Sequence, residues 1–238
     1  MKKFIALIAI VAIAYIAFGR HETPALAQQP AKKPAFVVVI DDSGVLTEAQ
    51  RAEQQKLMLF AQLKKLYKHR AYARADLHVI STSYGRDIWA GTISDLRSNR
   101  AEELLEKIKS HPDNCNKLEA SFTGVRTSIR QLEQQGANDI HVIFFSSLIS
   151  TPAPCADTKS ISLPQLPVPV QFDKMLAASE AVSSIEFLWV NPHQFRLYQD
   201  ALAPVAHWAK ANGKGFGIFD VEQTEAQLRS GLLLGGGK

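Results

Sequence analysis

Runs of apolar residues alternate with longer stretches of mixed polarity along this chain. Phe36-Val-Val-Val-Ile40 and Ile140-His-Val-Ile-Phe-Phe145 are almost unbroken and rich in β-branched and aromatic residues, as in strands covered on both faces. Leu77–Ser81, Ile185–Val190 and Gly215–Phe219 read the same way, and Asp87–Ile93 is a weaker strand. Tyr84-Gly85 lies between two of these runs and predicts a hairpin. Between the strands the apolar spacing changes to three, four or seven. Ala49, Ala52, Leu59, Leu63 and Leu66 form one such stripe, behind a T-x-x-Q capping box at Thr47 and Gln50. It closes on the cations Lys68, His69 and Arg70, which suit a helix C-terminus.

Further helices are predicted over 101–109, 118–135 (closed by Gly136), 172–181, 194–211 (with a kink at Pro204) and 221–234. Prolines 152, 154, 164, 167 and 169 mark a long loop after the strand that ends at Phe145. The order β-α-β-β-α-α-β-α-β-α-β-α implies an α/β fold: a doubly wound, mostly parallel sheet with helices on both faces and one antiparallel edge strand. One domain is expected over residues 35–234, after a linker at 28–34 and before a short tail at 235–238.

Composition bounds the function. The 238 residues are 46% hydrophobic and 21% charged, enough for one substantial core. The formal charge of +4 falls to +2 without residues 1–27, which carry Lys2, Lys3, Arg20 and Glu22. No Lys/Arg run compensates, so nothing marks a nucleic-acid-binding surface. Lys2-Lys3, the apolar run Phe4–Phe18 and Pro24-Ala-Leu-Ala27 have the three-part form of a secretory signal peptide. The alternative is an uncleaved inner-membrane anchor, which would be the chain's only membrane contact. Either reading places the domain in the periplasm or outside the cell. In that compartment Cys115 and Cys155 are expected to form one disulfide.

Ligands of open α/β sheets bind at the carboxyl ends of the strands, and the first such loop reads Val39-Ile-Asp41-Asp42-Ser43-Gly44-Val45. This segment and the element order resemble the von Willebrand factor type A domain, whose metal-ion-dependent adhesion site opens with D-x-S-x-S. The resemblance implies a noncatalytic domain that binds another protein, with Mg²⁺ or Mn²⁺ bridging to a partner carboxylate. Carried over, Asp41 and Ser43 match the first two motif positions, and Thr123 stands for the family's threonine. The third motif position is Val45, and no acid follows the fourth strand, where Ser146 and Ser147 stand. The site is therefore a degenerate one. The expected metal ligands are Asp41, Ser43 and Thr123, and the expected partner-binding residues are Asp41, Asp42, Ser43, Gly44, Ser121, Thr123, Ser146 and Ser147. Asp42 is expected to face solvent or order the turn. Envelope assembly, adhesion or secretion and conjugation machinery would suit such a domain.

The same segment also resembles the D-x-D-G-[TV]-L-T opening of haloacid dehalogenase-like phosphohydrolases, which would make Asp41 a nucleophile in a magnesium-dependent enzyme. Ser43 then occupies the acid/base position, and the Val190-Asn-Pro-His193 strand end lacks the later acids that such enzymes use. No nucleophile elbow, phosphate loop or dinucleotide fingerprint is present. His78 and His141 sit within apolar strands and read as core or strand-face residues. Trp89, Trp189 and Trp208 read most simply as core or half-buried packing, and Trp89 on the edge strand has the best claim of the three to a contact surface.

Overall fold

The computed structural model describes residues 31–43, 49–97, 100–108, 116–151, 162–163, 165 and 179–229, without the side chains of 49–52 and 55. The chain divides into two compact units, Met1–Ala31 and Lys32–Lys238, and the second carries the α/β fold. The signal segment, Gly44, the Thr47 cap, Cys115, Cys155, most of the proline-rich loop, residues 172–178 of one expected helix and the tail lie outside the described residues. Among the described residues, no helix is long and apolar enough to cross a membrane.

Six strands form one sheet: β1 (Pro34–Ile40), β2 (Asp76–Ser81), β3 (Arg86–Thr92), β4 (Asp139–Phe145), β5 (Val182–Val190) and β6 (Gly215–Asp220). Their order is β3-β2-β1-β4-β5-β6. Only β3 runs antiparallel, paired to β2 through the hairpin, and the other neighbours are parallel. The α/β class and the antiparallel edge strand are as the apolar pattern implied. Around the sheet lie α1 (Ala49–Lys68), a 3₁₀ turn (Ile93–Arg97), α2 (Arg100–Lys107), α3 (Leu118–Gln134), α4 (Pro192–Ala211, continuous through Pro204) and α5 (Val221–Arg229).

Strand β1 shows how the sequence builds two cores. Successive side chains point to opposite faces, so Ala35, Val37 and Val39 join α3 and α4 on one side. Phe36, Val38 and Ile40 join Leu59, Leu63 and Leu66 of α1, Leu104 of α2 and Leu228 of α5 on the other. Each such side chain stabilises by roughly 1.5–3 kcal/mol when fully buried, which explains why no residue from Phe36 to Ile40 is polar. The hairpin needs its glycine. Gly85 has φ +66°, and a Cβ there would lie 2.4 Å from that of Ala120 on α3, so the turn is seated directly on that helix.

Trp89 is a core residue, the simplest reading of the tryptophans, and not the contact residue its edge strand could have made it. It is 3% exposed, belongs to the α1–α2 core and lies under the Arg100 guanidinium at 5.0 Å, because the chain after β3 folds over the edge strand. His78 and His141 are buried, as expected. His78 Nδ1 lies 2.9 Å from Asp87, and Ser128 donates to the other oxygen of Asp87 at 2.8 Å. Because Ser128 bonds the acid and not the imidazole, these three do not form a nucleophile–base pair.

His141 stacks on Phe36 at 5.1 Å, shares a hydrogen bond of 2.8 Å with Ser184, and lies 3.8 Å from Asp139, which Lys32 also approaches at 3.5 Å. Burial holds the imidazole below its ordinary value of 6.5, outweighing the opposing pull of Asp139. As pH falls through that ordinary value, the unfolded chain takes up its proton before the folded one does. Stability is therefore full above this range and declines until the folded value is passed. Urea denaturation of wild type and His141→Gln between about pH 7 and about pH 5 should show the smaller pH-dependent loss in the variant; equal losses would rule out this role for His141.

Candidate functional site

The site forms where three parallel strands end together. Asp41 still belongs to the sheet, since its N–H donates to Phe145 O at 3.1 Å, while Thr82 N–H donates to Ile40 O at 3.0 Å. Its side chain therefore stands between the exits of β2 and β4. Oδ1 accepts from Ser43 N (3.3 Å), Ser43 Oγ (2.5 Å) and Thr82 Oγ1 (3.3 Å). Oδ2 accepts from Asn116 Nδ2 (3.1 Å), Ser146 Oγ (3.1 Å), Ser147 N (3.2 Å) and Ser147 Oγ (2.7 Å). Seven donors thus surround one carboxylate that is 5% exposed, although two carboxylate oxygens offer only about four lone-pair positions. The donors share them, and every loop that supplies one is tied to the same atom pair.

Further bonds join those loops to each other. Lys117 N donates to Thr82 O at 2.8 Å, and Thr151 N to Asn116 O at 3.0 Å. Asn116 N returns a bond to Thr151 Oγ1. Asn191 N, at the end of β5, donates to Ser147 O at 3.1 Å. Leu148 is held in the left-handed region at φ 58°, a conformation that costs a non-glycine residue roughly 1–3 kcal/mol. Its carbonyl accepts from Gln194 Nε2 (3.1 Å) and Tyr198 Oη (3.0 Å) of α4. Burial pushes the Tyr198 phenol up to about 12, so it remains a donor throughout the neutral range.

Asp42 points elsewhere. It is 2% exposed and accepts from Ser81 Oγ (2.8 and 2.6 Å) and Ser83 N (3.0 Å). The expectation that Asp42 faces solvent is corrected; its role in ordering the turn is kept. Burial raises its carboxyl above the ordinary 3.8, more than the Ser81 and Ser83 hydrogen bonds lower it.

The structure brings Asp41, Ser43, Ser146 and Ser147 together, but all four are buried, with the serines bonded to Asp41 rather than facing a partner; Gly44 lies outside the described residues. Ser121 and Thr123 are not at the site, because Leu118–Gln134 is helix at that point rather than loop. The Ser121 hydroxyl donates to Lys117 O within α3, and Thr123 is exposed. Asn116, just before that helix, is the residue of this region that reaches Asp41. Thr82 and Ser83 were also missed, although the hydroxyl run Ser81-Thr82-Ser83 was a visible signal. Next to them Tyr84 is 42% exposed on the same rim, with Arg86 5.7 Å from its ring centre.

No protein-family model matches the chain, and no curated protein matches it. Among solved structures it is similar to a mutant of the PilB minor pilin from Streptococcus sanguinis, with a TM-score of 0.53 and 10% sequence identity. The match covers 85% of this chain and 60% of that one, so the chain spans well under the pilin's full length. The likeness is one of fold.

The fit to magnesium can be tested on the donors. Mg²⁺ takes oxygen ligands in near-octahedral geometry and usually keeps several waters. Here the N–H groups of Ser43 and Ser147 already point at the carboxylate and cannot turn to offer lone pairs, and Asp41 is closed from solvent. Asp42 is engaged with Ser81 and Ser83. Asn116 Oδ1 and Ser83 Oγ, both buried without a partner, are uncommitted oxygens and do not complete the set. Among the described residues no cluster of three His, Cys, Asp or Glu is present. Both oxygens of Asp41 are committed to protein donors, and among the described residues no magnesium ligand set is preformed.

The two acids should respond differently to the same change. Asp41→Asn puts an amide against groups that donate, so urea unfolding at neutral pH should show a loss of about 2–4 kcal/mol. Asp42→Asn replaces a carboxyl that burial already biases toward its neutral form and should cost within about 1 kcal/mol. Equal losses would contradict the separate roles.

Proposed function

We propose that this chain is an exported, noncatalytic protein-interaction domain of von Willebrand A-like type, which docks a partner on the rim at the carboxyl ends of its parallel strands. The observation that carries this reading is the Asp41 cradle. One buried carboxylate holds the exits of β1, β2 and β4 and the segment before α3 in a fixed arrangement, at the position where open α/β sheets receive ligands. The von Willebrand A-like opening of β1 and the 3-2-1-4-5-6 sheet order with its antiparallel β3 agree with it. A carboxylate already occupied on both oxygens suits an organiser of loops better than a nucleophile.

Docking on this reading needs no metal. Asp41 fixes the rim from inside, and exposed groups such as Tyr84 meet the partner. Rigid placement of contact loops lowers the ordering cost of association. The signal-like residues 1–27 support placing the domain in the periplasm or outside the cell, and the pilin of similar fold agrees with an envelope setting. Thr151 N donates to Asn116 O and Asn116 N to Thr151 Oγ1; Asn116 directly follows Cys115 in sequence and Thr151 directly precedes the proline-rich stretch that holds Cys155, which supports the proposed disulfide. It would tie two rim loops and restrict the unfolded chain.

Affinity capture from the source organism's envelope extract tests the docking surface. Wild type and Lys210→Ala, altered at the far end of α4, should retain the same protein, and Tyr84→Ala should lose most of it. EDTA should leave capture unchanged. Capture that survives Tyr84→Ala, or depends on a divalent cation, would contradict the metal-free rim. Alkylation under denaturing, non-reducing conditions should add no label to the exported protein; two labels would exclude the bridge.

A further inference from the structure

A second concave feature lies toward the other end of the sheet, beside the part of α1 that returns the chain to the start of β2. It is an open cleft of about 390 Å³ between α1, the 3₁₀ turn and the first turn of α2, within the usual range for small-molecule sites of roughly 300–1,000 Å³. Phe60, Leu63 and Tyr67 form one wall and Leu96 the other, with Ala101 at the α2 side. The lining includes two cations, Lys64 and Arg97, and no acid. The Arg97 guanidinium lies over the Tyr67 ring at 4.8 Å.

The charge is uncompensated locally. Neither Lys64 nor Arg97 has a carboxylate partner among the described residues, and both are exposed. Two neighbouring acids are already engaged: Asp95 with Arg100 at 3.3 Å and with Thr92 N at 2.7 Å, and Glu103 with Lys107 at 2.7 Å. The apolar surface also continues beyond the cleft. Leu57 is 64% exposed and Leu105 45%; they lie three residues before Phe60 and four after Ala101, so each shares a helix face with a lining residue.

We propose that this cleft binds a single-chain amphiphilic anion, its apolar tail against Phe60, Tyr67 and Leu96 and its carboxylate between Lys64 and Arg97. The aromatic wall supplies non-directional burial. The two cations select the sign of the head group, and Arg97 can hold a carboxylate with two parallel N–H donors while its face stays on Tyr67.

Titration calorimetry on the full chain, with dodecanoate below its aggregation concentration and dodecyltrimethylammonium as the same-tail cation, tests this. Dodecanoate should bind one to one and about tenfold more tightly than the cation. Arg97→Ala should remove most of that preference while leaving binding of the cation unchanged. Ala101→Trp, which fills the cleft, should abolish the selective binding, with far-UV circular dichroism confirming that both variants are folded. Equal affinity for the two amphiphiles, a preference that survives either variant, or binding to anionic phospholipid vesicles but not to monomeric dodecanoate would each overturn the proposal.

Discussion

The rim of this domain depends on one electrostatic constraint: a carboxylate removed from water must be surrounded by donors. Ionised carboxylates lose several kcal/mol on burial unless hydrogen bonds replace their hydration. Asp41 obtains that replacement from loops that are remote in sequence but end at the same edge of the sheet. The dependence runs both ways. Asp41 is stable where it is only while those loops stay in place, and loops rich in serine, threonine and asparagine gain one arrangement because a single charge draws their donors together. The sheet below supplies position: β1 lies between β2 and β4, so a residue at its end meets both neighbours.

The architecture was legible because its strands carry strong signals. A buried central strand must be apolar on both faces, and Phe36–Ile40 and Ile140–Phe145 are. The hairpin was legible because Gly85 permits the turn that its seat on α3 requires. Residues at the site were legible only where a local motif contained them, as Asp41 and Ser43 did. Ser146 and Ser147 followed from knowing which strand they end.

What escaped depended on long-range register or on helix boundaries. Thr123 was sought in a loop, but Leu118 and Val125 share an apolar stripe that keeps this segment helical, and a helical threonine there faces outward. The residue of this region that reaches Asp41 is Asn116, whose side-chain amide donates to it. Thr82 reaches Asp41 because Ile40 pairs with Ser81, a register between residues forty-one apart that no local pattern encodes. Asp42 was expected outside because it is charged. In a sheet covered on both faces, adjacent residues point to opposite sides and neither need be exposed, and Ser81 and Ser83 satisfy it. The tryptophans read first as packing, and Trp89 alone had a claim to a surface because β3 is an edge strand; the 3₁₀ turn and α2 cover it. Edge position in a sheet and exposure to solvent are separate properties.

The most direct test of the account is native-state hydrogen exchange at the amides of Ser43, Thr82, Lys117, Ser147 and Thr151, which belong to four loops joined through the Asp41 cradle. If one carboxylate holds those loops as a unit, the five amides share a single opening free energy below that of the β1 and β4 core. Five unrelated exchange rates, with some amides near the unprotected limit, would show that the loops move independently and that Asp41 does not organise them.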